Sequence, residues 1–270
     1  MKSGRFLKVG LAAGAVFLLA AKKPPSGADY LEKSVQRAGG FSKYQRVESI
    51  AYDFAERRFV DGKSVLSTGR HRFKLHDPAG LRGREELSSP SGRTVTVFTS
   101  SGTWFWKDGR AVTEPAAVAA ARGELERKIF WILAPFSLKE AACPVEYLGM
   151  GYVEGRLLRR LEARKGAGLF PSEESFVLLV DSGTFRMEGA TYRPPAAAPP
   201  QTLLFSDYAE VRSLVFPFRR DVFDEDGRPL AVFTLLNLDV NTYLDENLFT
   251  SDFPEEVQSF PEKINTPVHP

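Results

Sequence analysis

The chain has little of the chemistry that enzymes and disulfide-stabilised proteins use. Its 270 residues include one cysteine, Cys143, and three histidines. A single cysteine cannot form an intramolecular disulfide, so we expect stability to come from a packed core in which Cys143 is a buried packing residue. The histidines, His71, His76 and His269, lack the spacing of a zinc site, and we predict no bound metal.

The sequence also lacks the signatures of common enzyme families. It contains no Gly-x-Ser-x-Gly elbow and no His-Glu-x-x-His pair. Residues 61–64 end like a phosphate-binding loop, but Arg57 stands where that loop needs its first glycine. Gly149, Gly151 and Gly155 have the wrong spacing for a dinucleotide fingerprint. We therefore predict a protein that is not an enzyme and holds no cofactor. The alternative is a hydrolase whose residues assemble only in space.

A third absence is a hydrophobic run long enough to span a bilayer. Lys2, Arg5 and Lys8 precede an apolar run over residues 9–21, which is short and has the layout of a secretory signal. Leu19 stands where the cleavage site prefers a small residue, so we expect either a cleaved signal or a tether in the inner membrane. Both interpretations predict a periplasmic or otherwise exported protein.

Strong charge of one sign is absent as well. The chain carries 36 basic and 34 acidic residues, and its formal net charge is +2. Because the basic residues of the leader account for this excess, the body of the chain is nearly neutral. A near-neutral body lacks the positive field of nucleic-acid binders, and we predict no nucleic-acid partner.

What the sequence does contain is a long series of short β-type segments. From residue 45 onward the period is two, and Ile50, Tyr52 and Phe54 form an apolar row that alternates with small or polar residues. Turn signals, including the Asp-Gly pairs at 61–62 and 108–109, separate successive segments as far as residue 240. This spacing predicts an antiparallel meander.

Two segments have the period of a helix instead. Residues 29–38 predict a short amphipathic helix closed by Gly39 and Gly40. Residues 115–133 predict a longer helix, with Thr113 as its cap and a proline in its first turn. The apolar positions of this second segment form the stripe of a helix that lies on a sheet. They are Val118, Leu125, Ile129 and Ile132, widened by Phe130 and Trp131.

These signals predict one domain, mainly β with some helix (α+β), over residues 29–253. Residues 1–21 precede it as the signal or anchor, residues 22–28 form a spacer, and residues 254–270 form an irregular tail. A proline-rich loop at 193–201 is predicted to be extended and exposed. It is not a domain linker, because the alternating pattern continues beyond it.

The chain is rich in aromatic residues, with 21 Phe, 8 Tyr and 3 Trp. Either these residues fill a closed core, or some of them line an apolar cavity between a curved sheet and its covering helix. Burying one methylene of a lipid chain is worth roughly 0.8 kcal/mol, so such a cavity binds acyl chains without a charged anchor. The candidate ligand-binding residues are Phe98, Trp104, Trp106, Phe130, Trp131, Phe205, Phe216 and Phe218.

Basic residues offer a second candidate surface, for lipid headgroups or a membrane. They form two groups: Arg70, Arg72 and Lys74 on one strand, and Arg156, Arg159, Arg160 and Arg164 on another. The alternative is a solvated outer sheet face on which acidic neighbours balance these charges. Those neighbours are Glu85, Glu86 and Glu162.

In the order of its features, the chain resembles the LolA-like family of periplasmic lipoprotein carriers and outer-membrane lipoprotein-sorting proteins. The resemblance spans residues 30–253 and begins with the helix that ends in Gly39 and Gly40. The features that follow are a long first strand, an aromatic hairpin, a late hairpin and a final strand with its ending. They read VESIAYDFAERRF (47–59), WFWKDGR (104–110), LVFPFRRDVFDEDGRPL (214–230) and LLNLDVNTYLDENLF (235–249).

The resemblance implies a strongly curved antiparallel sheet that forms an incomplete barrel, with helices covering its concave apolar face. It also implies a non-enzymatic protein that accepts the acyl chains of a lipid or lipoprotein and shields them during transport in the cell envelope. The alternative is an envelope interaction or sensor module of the same fold, which binds a membrane-protein partner through a sheet edge or an exposed face. An internal groove under the 115–133 helix favours the first hypothesis, and a fully packed interior favours the second.

Overall fold

The structure is a computed structural model that describes residues 25–164, 175–193 and 199–252. These ranges contain four α-helices, which are α1 (Gly27–Arg37), α2 (Phe41–Tyr44), α3 (Pro115–Leu133) and α4 (Phe136–Glu140), and a 3-10 turn at Glu246–Phe249. They also contain thirteen strands, β1 (Ser49–Val60), β2 (Lys63–Lys74), β3 (Arg82–Ser89), β4 (Gly92–Phe98), β5 (Thr103–Lys107), β6 (Arg110–Val112), β7 (Val145–Val153), β8 (Arg156–Arg164), β9 (Ser175–Asp181), β10 (Met187–Tyr192), β11 (Gln201–Val211), β12 (Leu214–Phe223) and β13 (Pro229–Val240). The predicted class, mainly β with some helix, is confirmed. The predicted leader at 1–21, the tail at 254–270 and much of the proline-rich loop lie outside the described residues.

All the strands belong to one antiparallel sheet, in the order β6-β5-β4-β3-β2-β1-β13-β12-β11-β10-β9-β8-β7. The sheet therefore consists of two meanders, β1–β6 and β7–β13, which are joined where the first strand pairs with the last. Its two edge strands are β6 and β7, and they do not pair with each other. This arrangement confirms the prediction of an incomplete barrel.

The sheet curves strongly around α3. Near one end of this helix, the Arg122 guanidinium lies over the Phe98 ring of β4, and nearer the other end the Trp131 ring contacts Phe176 of β9. In a flat sheet β4 and β9 are eight positions apart, or about 38 Å at roughly 4.8 Å per strand. Residues 122 and 131 are separated by only about 14 Å along a helix. The sheet must bend for one helix to reach both strands.

Helix α3 spans the predicted residues, but its start differs from the prediction. Its N-cap is Glu114, which makes no side-chain capping bond, so the expectation that Thr113 caps the helix was wrong. Thr113 lies one residue too far from the first turn to serve as the N-cap. The predicted stripe is buried at Leu125, Ile129 and Ile132, whereas Val118 is only half-buried. The second half of α3 therefore makes most of the core contact.

Two short helices had no signal in the sequence. They are α2 and α4, which contain four and five residues. Segments of this length are too short to show a helical period. Strand β6, of three residues, is the second arm of the predicted aromatic hairpin. Helix α1 was predicted, but it begins at Gly27 because the Ser26 side chain accepts a hydrogen bond from Asp29 N at 3.2 Å. Cys143, expected to be buried, is half-buried and packs against the core.

Glycines on the concave face let aromatic rings lie directly on the backbone. A Cβ atom added to Gly69 would lie 2.4 Å from Phe54 Cζ, and one added to Gly83 would lie 2.3 Å from Phe98 Cε1. Such distances are too short for any side chain, so each ring occupies the space that a Cβ would need. Gly123 in α3 contrasts with both, because an added Cβ there meets no atom within 4 Å.

We expect Gly69→Ala to lower the free energy of unfolding by about 1–3 kcal/mol, because the new methyl group overpacks the core against Phe54. Gly123→Ala is the matched control and should raise that free energy by up to about 1 kcal/mol, since alanine favours a helix. Urea unfolding of both variants measures the two effects. An unchanged urea midpoint for Gly69→Ala would contradict this account of the close approach.

Candidate functional site

The concave face of the sheet gathers most of the predicted aromatic residues. Phe98, Phe130, Trp131, Phe205 and Phe216 are buried in one core cluster, and Phe218 is half-buried against it. The residues come from strands β4, β11 and β12 and from helix α3. The structure therefore brings six of the eight predicted residues together. Their role in binding a ligand stays a prediction.

Trp104 and Trp106 lie elsewhere. They pack with Val95 and Val97 in a small separate cluster. Phe98 pairs with Thr103, and side chains alternate between the faces of a strand, so the two tryptophans lie on the sheet face opposite Phe98. They share one face, as the sequence predicted, but it is the convex face.

Most of the space on the concave face is filled by α3. Ile129, Phe130 and Leu133 are fully buried between the helix and the sheet. A groove with a cavity volume of about 90 Å³ remains between α3 and the strands that follow residue 199. A smaller cavity of about 20 Å³ lies near Pro135 and Phe205. The interior is thus largely packed. Of these two cavities, the groove is the larger.

The groove has an apolar wall and a charged rim. Strands β11, β12 and β13 supply Leu203, Val222, Ala231 and Phe233, and α3 supplies Trp131. The polar lining residues are Glu56, Glu124, Arg127, Lys128, Tyr192 and Arg220. A space of this kind suits a ligand that has both an apolar and a polar part.

A buried polar cluster holds α3 onto β2 and β3 beside the groove. His71 Nδ1 lies 2.6 Å from Tyr52 Oη, and His71 Nε2 lies 2.7 Å from Glu85 Oε1. Lys128 of α3 donates to the same oxygen of Glu85. All four side chains are buried. The cluster resembles a catalytic arrangement in composition, but both ring nitrogens of His71 already have partners and the imidazole is closed off from solvent.

Burial and the neighbouring charges set the protonation of this cluster. Burial lowers the pKa of His71 to about 4, so the imidazole is neutral at pH 7. Burial acts to raise the pKa of Glu85, but Lys128 and His71 outweigh it and hold that pKa well below its usual range. Burial likewise opposes the charge of Lys128, whose pKa is nevertheless raised by Glu85 and other carboxylates. The cluster therefore contains one carboxylate and one ammonium group.

Arg220, on β12, lines the same groove. Its side chain is buried, and Arg220 Nη1 donates a 3.3 Å hydrogen bond to the backbone carbonyl of Lys128. The guanidinium carbon lies 3.9 Å from the centre of the Phe233 ring. Burial lowers the pKa of Arg220 to about 10, so the group is still a cation at neutral pH. This contact ties the second half of α3 to β12.

The predicted basic residues of the first group lie on the convex face, and there they form ion pairs within the chain. Arg70 Nε lies 2.5 Å from Asp53 Oδ1, and Arg72 Nη1 lies 3.1 Å from Glu86 Oε1. Lys74 pairs with Glu246 of the C-terminal turn. These ion pairs are those that a balanced outer face predicts. The assignment of Glu85 to that face was wrong, because Glu85 points inward to His71 and Lys128.

The second basic group is partly engaged in the same way. Arg156 pairs with Glu188 at 2.9 Å, and Arg164 pairs with Glu162 at 2.8 Å. The Arg159 guanidinium lies over the rings of Tyr30 and Phe185 and donates to a backbone carbonyl. These contacts leave the headgroup role of both groups as an untested expectation.

Sequence reasoning missed Arg220 on the concave face. Arg220 continues the alternation of Leu214, Phe216 and Phe218. A charged residue that continues an apolar row was the available signal. The alternation of β2 did place His71 on the inward face with Phe73, and both are buried there.

Neither a metal site nor a membrane span is found in the described ranges. No group of three or more His, Cys, Asp or Glu side chains within 25–164, 175–193 and 199–252 is placed to hold a metal ion. Among the helices of the same residues, none combines the length and apolar character needed to cross a membrane.

Comparison with solved structures identifies the architecture as a LolA-like fold. A DUF1329 family protein from Desulfovibrio piger has a TM-score of 0.56 and 13% identity, over 83% of this chain and 97% of that chain. A LolA superfamily protein from Nitrosomonas europaea has a TM-score of 0.54 and 13% identity, over 84% and 98% of the two chains. A candidate outer membrane lipoprotein-sorting protein domain from Vibrio parahaemolyticus has a TM-score of 0.52 and 14% identity, over 83% and 95%. No protein-family model and no curated protein matches the chain. At these identities the likeness shows the fold alone.

We expect acid to destabilise the protein through His71. Its pKa is about 4 when folded and 6.5 in the ordinary state, so the unfolded chain binds a proton that the folded chain excludes. Stability should therefore fall as the pH drops from 6.5 toward 4, with about 2 kcal/mol lost between pH 7 and pH 5 from this group. Urea unfolding across this range measures the slope.

In the variant His71→Gln, the free energy of unfolding should change less between pH 7 and pH 5, because glutamine does not titrate there. His76→Gln, which replaces an exposed histidine, is the matched control and should retain the slope. A His71→Gln variant with the full slope of the parent would show that another group causes the acid sensitivity.

Proposed function

We propose that this protein is an exported, non-enzymatic lipid- or lipoprotein-binding protein that shields acyl chains between α3 and the concave face of its sheet. The observation that carries the proposal is the groove, whose apolar wall on β11–β13 faces Trp131 across a space partly open to solvent. The LolA-like fold supports it, since one solved protein of that fold is described as a candidate lipoprotein-sorting domain.

The size of the groove limits what it holds in this state. A cavity of about 90 Å³ is well below the roughly 300–1,000 Å³ of a typical ligand pocket, so it has room only for the end of an acyl chain. A longer chain requires the second half of α3 to move away from β12 and β13. Each methylene that enters contributes roughly 0.8 kcal/mol, which offsets the packing energy that the helix gives up in that movement.

Filling the groove should block lipid binding. Ala231 lines the groove, and Ala231→Phe places a ring where the ligand would lie. We expect this variant to retain roughly tenfold less lipid, because a ligand that must displace the ring meets an overpacked site. Protein purified without detergent from its native envelope, followed by lipid mass spectrometry, measures the bound lipid.

The matched control is Val232→Phe, which adds a ring to the next residue on the opposite face of β13. It should retain the lipid of the parent protein. A folded parent protein that carries no lipid, or equal lipid in both variants, would count against acyl-chain binding in the groove.

A second candidate function is supported by the edge strand β7. Leu148, Met150 and Tyr152 form an exposed row of large apolar side chains on it, and Leu157 of β8 is exposed nearby. The described residues place a sheet neighbour on only one side of β7. An apolar row on an unpaired edge is typical of a surface that binds a partner protein. This arrangement favours an interaction or sensor module that contacts an envelope membrane protein.

The edge is tested by site-specific photo-crosslinking in the intact cell envelope. A photoreactive residue at Tyr152, which is 76% exposed, should give one defined protein adduct if β7 is the partner surface. The same residue at Tyr243, which is 87% exposed on another part of the molecule, is the control. Equal labelling at both positions, or none at Tyr152, would exclude a partner at this edge.

A further inference from the structure

Arg220 is a buried cation on which two carboxylates of the groove, Glu56 and Glu124, act only from beyond ion-pair distance. Its side chain is 4% exposed, and it forms no ion pair among the described residues. Removing a guanidinium from water costs several kcal/mol unless an opposite charge and hydrogen bonds compensate for the lost hydration. The Phe233 ring compensates for part of this cost through its face, but it does not satisfy the N–H donors.

The other charged residues around the groove each have a counter-ion. Glu56 Oε1 lies 2.6 Å from Arg58 Nε, and Glu124 pairs with Arg127. Lys128 pairs with Glu85. These carboxylates each have an ion-pair partner other than Arg220, so among the described lining residues three side chains are cationic and two are anionic.

Two residues that line the groove have buried hydrogen-bond donors without acceptors among the described residues. Arg220 Nε, Arg220 Nη2 and Trp131 Nε1 are buried, and none of the three has a partner in the part of the chain that the structure describes. Both residues line the groove, from β12 and from α3. Water would satisfy these donors, but it would leave the charge of Arg220 uncompensated. An oxyanion satisfies both requirements, since a guanidinium binds it through two parallel hydrogen bonds.

We propose that Arg220 and the Trp131 indole N–H bind a singly charged oxyanion, the carboxylate or phosphodiester end of an acyl amphiphile, in the groove. A single charge matches the one uncompensated guanidinium, and Glu56 and Glu124 disfavour a second negative charge. The groove of about 90 Å³ has room for the oxyanion, and in the carboxylate case the first methylenes of the chain would lie against Leu203 and Phe233. The inference rests on the proposed function, because it assigns the polar end of the same ligand.

The test compares ligands that differ only in the head. Isothermal titration calorimetry of the full chain with dodecanoate and with 1-dodecanol should show roughly tenfold tighter binding of the acid, the gain expected of a hydrogen bond to a charged group. Lauroyl-lysophosphatidylglycerol, titrated in parallel, supplies the phosphodiester. Whichever of the two anions binds more tightly identifies the source of the oxyanion.

Acetate tests the oxyanion without a chain and should bind far more weakly than dodecanoate.

Variants of the two donors complete the test. Arg220→Met keeps the length of the side chain and removes the charge, and dodecanoate and dodecanol should then bind equally. Trp131→Phe removes one donor and should reduce the preference in part. Arg219→Met is the matched control, because Arg219 lies on the opposite face and pairs with Asp221 at 2.9 Å. The Arg219→Met variant should bind dodecanoate more tightly than 1-dodecanol by the same factor as the parent protein.

The outcomes separate this inference from the proposed function. If the parent protein binds dodecanoate and 1-dodecanol equally, the proposed oxyanion site is wrong but the proposal of acyl-chain binding stands. The same follows if Arg220→Met still binds dodecanoate more tightly than 1-dodecanol. If neither ligand binds, both proposals fail. If acetate binds as tightly as dodecanoate, the acyl chain adds nothing to binding, and the proposal that the ligand is an amphiphile is wrong. Should Arg220→Met fail to fold, Arg220→Lys serves instead, with an expected preference below that of the parent because lysine lacks the bidentate fork.

Discussion

The pairing of β1 with β13 is the constraint on which the rest of the structure depends. It joins two meanders that are far apart in sequence, and side chains reinforce it at one end, where Glu48 N donates to Asn241 Oδ1 at 2.8 Å and Ser49 Oγ donates to the carbonyl of Thr242 at 2.6 Å. Because this junction lies in the middle of the sheet, β6 and β7 become opposite edges. The chain between them must cross the concave face, and α3 is the segment that does so.

The position of α3 explains why charged residues occur inside an otherwise aromatic interior. A helix that crosses from edge to edge needs directional contacts to fix its place on a curved apolar surface. Lys128 supplies them twice, through its ammonium group to Glu85 and through its backbone carbonyl to Arg220. The first contact pairs two charges, whereas the second leaves the guanidinium charge uncompensated. The same anchoring that holds the helix therefore creates a cationic position at the wall of the groove.

Local periodicity predicted the strands and the long helix well, since alternation and helical spacing are properties of a short segment. It predicted that Trp104 and Trp106 share a face, and they do. It did not reveal which face is concave, because that depends on how β4 and β5 pair and on where α3 lies. The same limit misplaced Glu85, whose direction is set by the register of β3 on β2. The groove itself arises between strands and a helix that are distant in sequence, so no local pattern contains it.

The central position of β13 in the sheet also determines when the sheet can be completed during synthesis of the chain. Of the strands that the structure describes, β13 is made last, yet it occupies the middle of the finished sheet, between β12 and β1. Until Val240 has been added, β1 and β12 each present a row of unpaired backbone groups, which is the kind of edge that recruits other chains. The nascent protein thus cannot complete its core by growing outward from its N-terminal strands. A chain that ended before β13 would contain two six-stranded meanders, β1–β6 and β7–β12, and the inner edge strand of each would lack its partner.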